Sequence, residues 1–343
     1  ALRGHIGAGE GYMAGEWSCD ALTTLIRIFL LNREVMNGLE RGLARLALPL
    51  FRLGHALRRN SRCGSRANIA AHYDLGNDFY RLFLDENLMY SCAFFPTSTS
   101  SLEEASTAKN ARICRKLELR PQDHLLEIGT GWGGFALHAA SRYDCRVTTT
   151  TISRQQYELA QERVHQAGLT ERVTVLLQDY RDLQGRYDKL VSIEMIEAVG
   201  ANYLASYLRQ CSRLLKPDGM LLLQAITIAD QEYERARRSV DFIQHYIFPG
   251  GCLPSTTAIT TTMARVTDLR LFHFEDIGAH YALTLQHWRE RFLSRLQQVR
   301  EQGFSETFIR MWEFYLCYCE GGFRERSIST AQILFTKPLC RLG

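Results

Sequence analysis

The stretch Leu125-Leu-Glu-Ile-Gly-Thr-Gly-Trp-Gly-Gly-Phe-Ala136 is an apolar strand that ends in a glycine-rich turn and runs directly into a helical pattern. Gly129, Gly131 and Gly133 permit turn conformations closed to residues with a Cβ and let the backbone approach a ligand closely. Such a turn reads as a nucleotide-type cofactor site, although alone it also fits a dinucleotide fold or a simple tight turn.

Around that stretch, strand and helix patterns alternate. Leu125 to Ile128, Arg146 to Thr151, Val173 to Gln178, Lys189 to Ile193 and Met220 to Ile226 read as strands, with helices over Phe135 to Ser141, Ser153 to Ala167 and Tyr203 to Leu215 between them. This rhythm predicts an α/β, doubly wound, Rossmann-like sheet whose ligand sits at the carboxyl ends of the strands. Gly129, Thr151, Asp179 and Glu197 all fall at such ends. Glu127, just ahead of the turn, leans towards S-adenosylmethionine, where a strand-end acid orients the amino-acid moiety and no pyrophosphate has to be cradled.

After Ile228 the rhythm breaks. A charged helical insertion from Asp230 to about Tyr246, then Ile247-Phe-Pro-Gly-Gly-Cys-Leu-Pro254, forms a lid over about residues 229–265. The sheet resumes at Leu269 to Phe274, helices are expected over about His280 to Gln298 and Glu306 to Gly321, and Gln332 to Phe335 supplies a last strand. Ahead of the sheet, Ser101-Leu-Glu-Glu offers a capping box for a helix to Leu119.

Residues 1–65 are read as a small N-terminal helical appendage, the remainder of a larger accessory domain, and residues 66–343 as the catalytic domain. Within the first part, Arg41, Arg45, Arg52, Arg58, Arg59, Arg62 and Arg66 interleave with Leu43, Leu46, Leu48, Leu50, Phe51 and Leu53. That pattern fits either a solvated helix face plus linker or contact with an anionic membrane surface.

The 343 residues and 46% hydrophobic content suffice for one large domain with appendages. A net charge of +4 is too mild to indicate a nucleic-acid partner, and no stacking or groove-reading module is present. The 10 cysteines are scattered, with no metal-ligand spacing, so reduced thiols and no metal are expected. Leu22 to Leu31 is interrupted by Arg27 and too short to span a bilayer, which points to a cytoplasmic protein that touches a membrane peripherally.

Taken together, Ala71-His-Tyr-Asp-Leu-Gly-Asn-Asp-Phe-Tyr80, Tyr90-Ser-Cys-Ala93, Glu127 to Gly134, Leu177-Gln-Asp-Tyr-Arg-Asp182, Glu197-Ala-Val-Gly200, Tyr246 to Pro254 and Cys319-Glu-Gly-Gly-Phe-Arg-Glu-Arg326 make the chain resemble the cyclopropane-fatty-acid-phospholipid synthase family, with its mycolic acid cyclopropane synthases and related lipid C-methyltransferases. The resemblance implies a class I S-adenosylmethionine methyltransferase that alkylates a cis double bond of an unsaturated phospholipid acyl chain. Tyr90, Ser91, Glu127, Gly129, Gly131, Trp132, Gly133, Thr151, Gln156, Asp179, Tyr180 and Arg181 are then expected to line the cofactor site.

The resemblance further implies bicarbonate as the base that closes a cyclopropane ring, held by Cys92, Glu197, Ile226 and Tyr281 through side chains or backbone amides. Gln224 stands where the best-known members have histidine, and an amide donates a hydrogen bond but cannot carry the ion's proton or charge. The resemblance favours cyclopropanation, and Gln224 makes a methylene- or methyl-branched product the alternative. A small-molecule or RNA methyltransferase, and a cofactor-binding membrane partner without activity, are weaker readings, and a homodimer is left open. Read without the family, His72 is a packing histidine and Cys92 a buried thiol.

Overall fold

The computed structural model describes residues 4–32 and 75–341. The arginine–leucine segment, and the Ala71-His-Tyr-Asp portion of the first family motif with its His72, lie outside them.

In chain order the described elements are α1 (Gly4–Met13), α2 (Leu22–Leu31), α3 (Asn77–Arg81), α4 (Leu102–Lys116), β1 (His124–Ile128), α5 (Gly134–Tyr143), β2 (Arg146–Thr151), α6 (Arg154–Gln166), β3 (Val173–Leu177), β4 (Tyr187–Ile193), α7 (Ile196–Val199), α8 (Leu204–Leu214), β5 (Leu215–Ile228), α9 (Asp230–Ala236), α10 (Thr256–Val266), β6 (Arg270–Asp276), α11 (Gly278–Ser294), α12 (Leu296–Glu301), α13 (Glu306–Arg324) and β7 (Ile328–Thr336). The strands form one sheet of order β3-β2-β1-β4-β5-β7-β6. Only β7 runs against its neighbours.

The apolar runs that mark β1, β4 and β5 reflect burial on both faces, as a helix-covered parallel sheet requires. Leu125, Val191, Leu222 and Leu334 face Ile113 of α4, Phe135 and Ala139 of α5 and Val164 of α6. Leu126, Leu190, Leu221 and Ile333 face the other way, onto Tyr207 and Cys211 of α8 and Ile259 and Met263 of α10. The capping box forms as read: the Ser101 hydroxyl accepts from the Glu104 amide at 3.2 Å and the Glu104 carboxylate accepts from the Ser101 amide at 2.8 Å. β7 is longer than its sequence signal, because its whole length pairs with β5 and Ala331 to Thr336 pair with β6 as well.

A third core, rich in aromatic rings, lies among α1, α2, α3, α11 and α13. Phe79 of α3 meets Phe304, Phe308 and Trp312 with ring centroids 4.8–5.4 Å apart. The two N-terminal helices belong to this core. Tyr12 donates to Glu313 at 2.8 Å, and Ile26 sits so close to Gly321 that a Cβ there would lie 2.8 Å from its methyl group. The helix expected over His280 to Gln298 is two helices, broken at Arg295, whose guanidinium donates to the Leu82 carbonyl at 2.6 Å.

The insertion after β5 holds α9 and a π-helical turn at Ile243–Ile247. Phe242, ahead of that turn, is buried 4.7 Å from the Phe314 ring, and the Tyr246 hydroxyl donates to Glu10 at 2.8 Å. Further on, the Cys252 amide donates to the Glu197 carbonyl at 2.9 Å, which anchors the lid on α7. Among the described residues no helix is long and apolar enough to cross a membrane.

Candidate active site

The turn after β1 requires its glycines. Gly129, Gly131 and Gly133 have φ of +103°, +52° and +85°, a region that residues with a Cβ rarely adopt. A Cβ on Gly129 would touch Met195 at 3.4 Å and one on Gly133 would touch Ala160 at 3.4 Å, whereas one on Gly131 would meet nothing within 4 Å among the described residues. The crest of the turn therefore offers room that a side chain would fill. Gly134, which completes a Gly-x-Gly-x-x-Gly spacing, serves packing: its Cβ would lie 2.5 Å from the Asn87 carbonyl.

Glu127 is buried behind this turn and accepts from the Thr149 hydroxyl at 2.6 Å. Burial pushes its carboxyl up to about 8, against the pull of that hydroxyl and of Lys109. A cationic amine beside it would restore its charge. At the ends of β2 and β3, Thr151 donates to Gln156 at 2.8 Å, and Arg181 grips Asp179 with contacts of 2.6 and 2.9 Å. The Tyr180 ring stands edge-on to Tyr207 at 5.2 Å. Trp132 is turned into the aromatic core, 4.8 Å from Tyr80, and its indole donates to Asn77 at 2.7 Å. Tyr90 and Tyr315 share a hydroxyl hydrogen bond of 2.8 Å, and Ser91 accepts from Lys109 at 3.1 Å.

The groups expected to hold an anion converge on a residue that the sequence reading passed over. Glu194, directly after β4, accepts from the Cys92 amide at 2.9 Å, the Gln224 side-chain amide at 2.9 Å and the Tyr281 hydroxyl at 2.7 Å. Its own amide donates to the Gln224 carbonyl at 2.7 Å, which holds it at φ +50°. That left-handed conformation costs a non-glycine residue about 1–2 kcal/mol. Glu197 bonds elsewhere: one oxygen accepts from the Ile226 amide at 2.5 Å and the other has no hydrogen-bond partner among the described residues.

Burial raises both carboxyls. On Glu194 the bonds from Tyr281, Gln224 and the Cys92 amide oppose the shift. On Glu197 the Glu194 charge adds to it, and the carboxyl reaches about 8. Of these two buried carboxyls, Glu194 is the one whose three donors favour the negative charge. Lys109 on α4 is the buried counter-charge, drawn down to about 8 by burial while Glu194, Asp85 and Glu127 hold it up. The Cys92 thiol is buried and pushed up by burial and Glu194, which makes it a packing group rather than a nucleophile.

Both missed residues left a signal. Lys109 falls in the helical stripe Ala105, Lys109, Ile113, whose other members are buried apolar residues. Glu194 and Glu197 are paired acids at the end of an apolar strand.

A sheet of this order with one reversed strand, and a glycine turn after β1 backed by a buried acid, define a class I S-adenosylmethionine-dependent methyltransferase. Residues 60–333 match the family described as mycolic acid cyclopropane synthetase. The chain is 41% identical over 336 residues to the tuberculostearic acid methyltransferase of Mycobacterium tuberculosis, covering 96% of this chain and 78% of that one. To the cyclopropane-fatty-acyl-phospholipid synthase of Escherichia coli (strain K12) it is 40% identical over 337 residues, covering 97% and 84%. A solved mycolic acid cyclopropane synthase complexed with SAH and CTAB superposes with a TM-score of 0.74 at 32% identity, over 79% of this chain and 98% of that one. The chain belongs to the mycolic acid cyclopropane synthetase family, and it is an S-adenosylmethionine-dependent methyltransferase of the cyclopropane-fatty-acyl-phospholipid synthase type.

Proposed function

We propose that the chain alkylates the cis double bond of an unsaturated phospholipid acyl chain and that the product is a cyclopropane fatty acid. The observation that carries this reading is the convergence of Cys92, Gln224 and Tyr281 on one buried carboxylate beside the glycine turn. A carbon–carbon double bond is a poor nucleophile, so the site must align it, exclude water and place a base within reach.

S-adenosylmethionine, when bound, supplies an electrophilic methyl group. Glu127 and the turn at Gly129, Gly131 and Gly133 are assigned to its amino-acid end, and Thr151, Gln156, Asp179, Tyr180 and Arg181 to its nucleoside end, with Tyr90, Ser91 and Trp132 closing the site. Tyr90, Trp288, Tyr281 and Phe323 stand in succession with ring centroids 4.4–6.1 Å apart. Such a wall keeps water out and stabilises positive charge on the acyl chain through its ring faces. Glu194 then takes the proton that the cationic chain must lose. Glu197, its carboxyl pushed up to about 8 by burial and the Glu194 charge, favours its neutral form beside Glu194, and the Ile226 amide fixes it.

Bicarbonate, the ion that the resemblance implies, would need the same three donors; we assign its place to the Glu194 carboxylate. That assignment also favours a second reading. A base tied to the backbone at φ +50° that takes the proton from the neighbouring chain carbon, rather than from the delivered methyl, leaves a methyl-branched chain with a shifted double bond, in keeping with the relative named as a tuberculostearic acid methyltransferase.

The test is turnover on vesicles of dioleoyl-phosphatidylglycerol with methyl-trideuterated S-adenosylmethionine, read by mass spectrometry. Ring closure takes one deuterium from the delivered methyl and leaves two in the product, whereas a methyl branch keeps all three; unlabelled lipid would overturn both readings. Membrane contact is part of the proposal, supported by the Arg41 to Arg66 segment and by exposed Leu271, Phe272 and Phe274 on edge strand β6. Turnover on these anionic vesicles should fall as salt rises and the Debye length shrinks.

A further inference from the structure

Gln224, Gln332 and Glu275 occupy one cross-strand row on β5, β7 and β6, paired in register. The two glutamines are fully buried. Lys116, in the last turn of α4, reaches down onto this row and donates to Gln332 Oε1 at 2.8 Å and to Glu275 at 2.5 Å. From Gln332 the bonds continue in one direction: its Nε2 donates to Gln224 Oε1 at 3.0 Å, and Gln224 Nε2 donates to Glu194 Oε1 at 2.9 Å.

An amide can turn end for end, exchanging donor and acceptor, and in a neutral surrounding a pair of buried amides has two opposite polarities. An ammonium group has only donors and a carboxylate only acceptors. Lys116 at one end and Glu194 at the other therefore demand the same polarity, and they do so across two side chains that no water reaches. We propose that Lys116 is a positioning residue for the base: its ammonium group fixes the direction of the two buried amides so that Gln224 always presents its NH2 group, and never its carbonyl, to Glu194. The inference rests on the reading of Glu194 as the base and adds the residue that keeps it ionised.

At the Glu194 end Gln224 Nε2 also donates to the Cys92 carbonyl, at 3.2 Å, and at the far end Lys116 is the cation that holds the Gln332 amide in the matching direction. Glu194 is faced by the Cys92 amide, by Tyr281 on α11, by Glu197 on α7 and by Lys109 on α4. Lys116 is faced by Glu275 on β6, by Gln332 on β7 and by Arg112 on its own helix. Arg112 also bonds Glu275, at 3.1 Å, so that carboxylate stays paired when Lys116 is replaced.

The experiment compares pH profiles of kcat for the full chain on dioleoyl-phosphatidylglycerol vesicles. Lys116→Met and Gln332→Met should each move the acid limb up by about one pH unit, the scale of one lost hydrogen bond to the charged form. Lys116→Arg should restore the wild-type limb. A Lys116→Met enzyme with a lowered Tm but an unmoved limb would overturn the inference, since a purely structural lysine predicts that result. Glu194→Gln separates the two layers: if it abolishes the limb while Lys116→Met leaves it in place, the base stands and the relay falls; if it keeps the limb, both fall.

Discussion

Glu194→Gln should lower product formation by roughly a hundred- to ten-thousandfold, the usual contribution of a positioned general base, while S-adenosylmethionine binding stays within about twofold of wild type. The amide is nearly isosteric with the carboxylate and keeps an oxygen to accept from the Tyr281 hydroxyl, but it cannot take a proton. It also turns NH2 hydrogens towards donors that already point at it, the Cys92 amide and the Gln224 side chain. Glu194→Gly is the cleaner companion. At φ +50° glycine relieves backbone strain, which offsets part of the cost of the three buried donors left without their acceptor, so this variant should still fold and turn over slowly. Single-turnover rates with calorimetry of cofactor binding measure both. Equal rates in the wild type and the two variants would remove Glu194 from the chemistry.

The second large effect concerns the turn. Gly131→Val should reduce S-adenosylmethionine affinity by at least about a hundredfold, near 2.7 kcal/mol, with only a modest loss of stability. The valine Cβ meets no atom of the described residues within 4 Å, so the fold bears mainly the cost of φ +52°, about 1–2 kcal/mol. The side chain projects instead into the space assigned to the cofactor. Gly134→Ala should behave in the opposite way, losing stability first, because its methyl would meet the Asn87 carbonyl at 2.5 Å. Calorimetry and thermal unfolding of the two variants together separate a ligand effect from a packing effect. Unchanged affinity in folded Gly131→Val would remove the turn from the cofactor site.

The β/α alternation, the capping box at Ser101 and the turn at Gly129 were legible because each is written in consecutive residues. The break at Arg295 and the π-helical turn at Ile243–Ile247 were not, since each depends on a partner distant in sequence: the Leu82 carbonyl for one and the α13 aromatics under Phe242 for the other. The donors Cys92, Gln224 and Tyr281 were found through the family motifs, but the acceptor they share was not. Sequence grouped them with Glu197; the left-handed turn at Glu194 carries its side chain into their midst and leaves Glu197 on the Ile226 amide. No local pattern announces that rotation. Lys109 and Lys116 escaped for a related reason, as α4 reads as a charged amphipathic helix until the sheet beneath it is in place.

Bicarbonate dependence tests most directly whether the chain carries its own base where an anion would otherwise sit. Turnover of the wild-type enzyme on dioleoyl-phosphatidylglycerol vesicles, in carbonate-free buffer and again with added bicarbonate, should be the same, and Glu194→Gly should gain rate when the ion is added, because three donors then stand ready for it. A wild-type enzyme that slows in carbonate-free buffer and recovers with bicarbonate would contradict the claim.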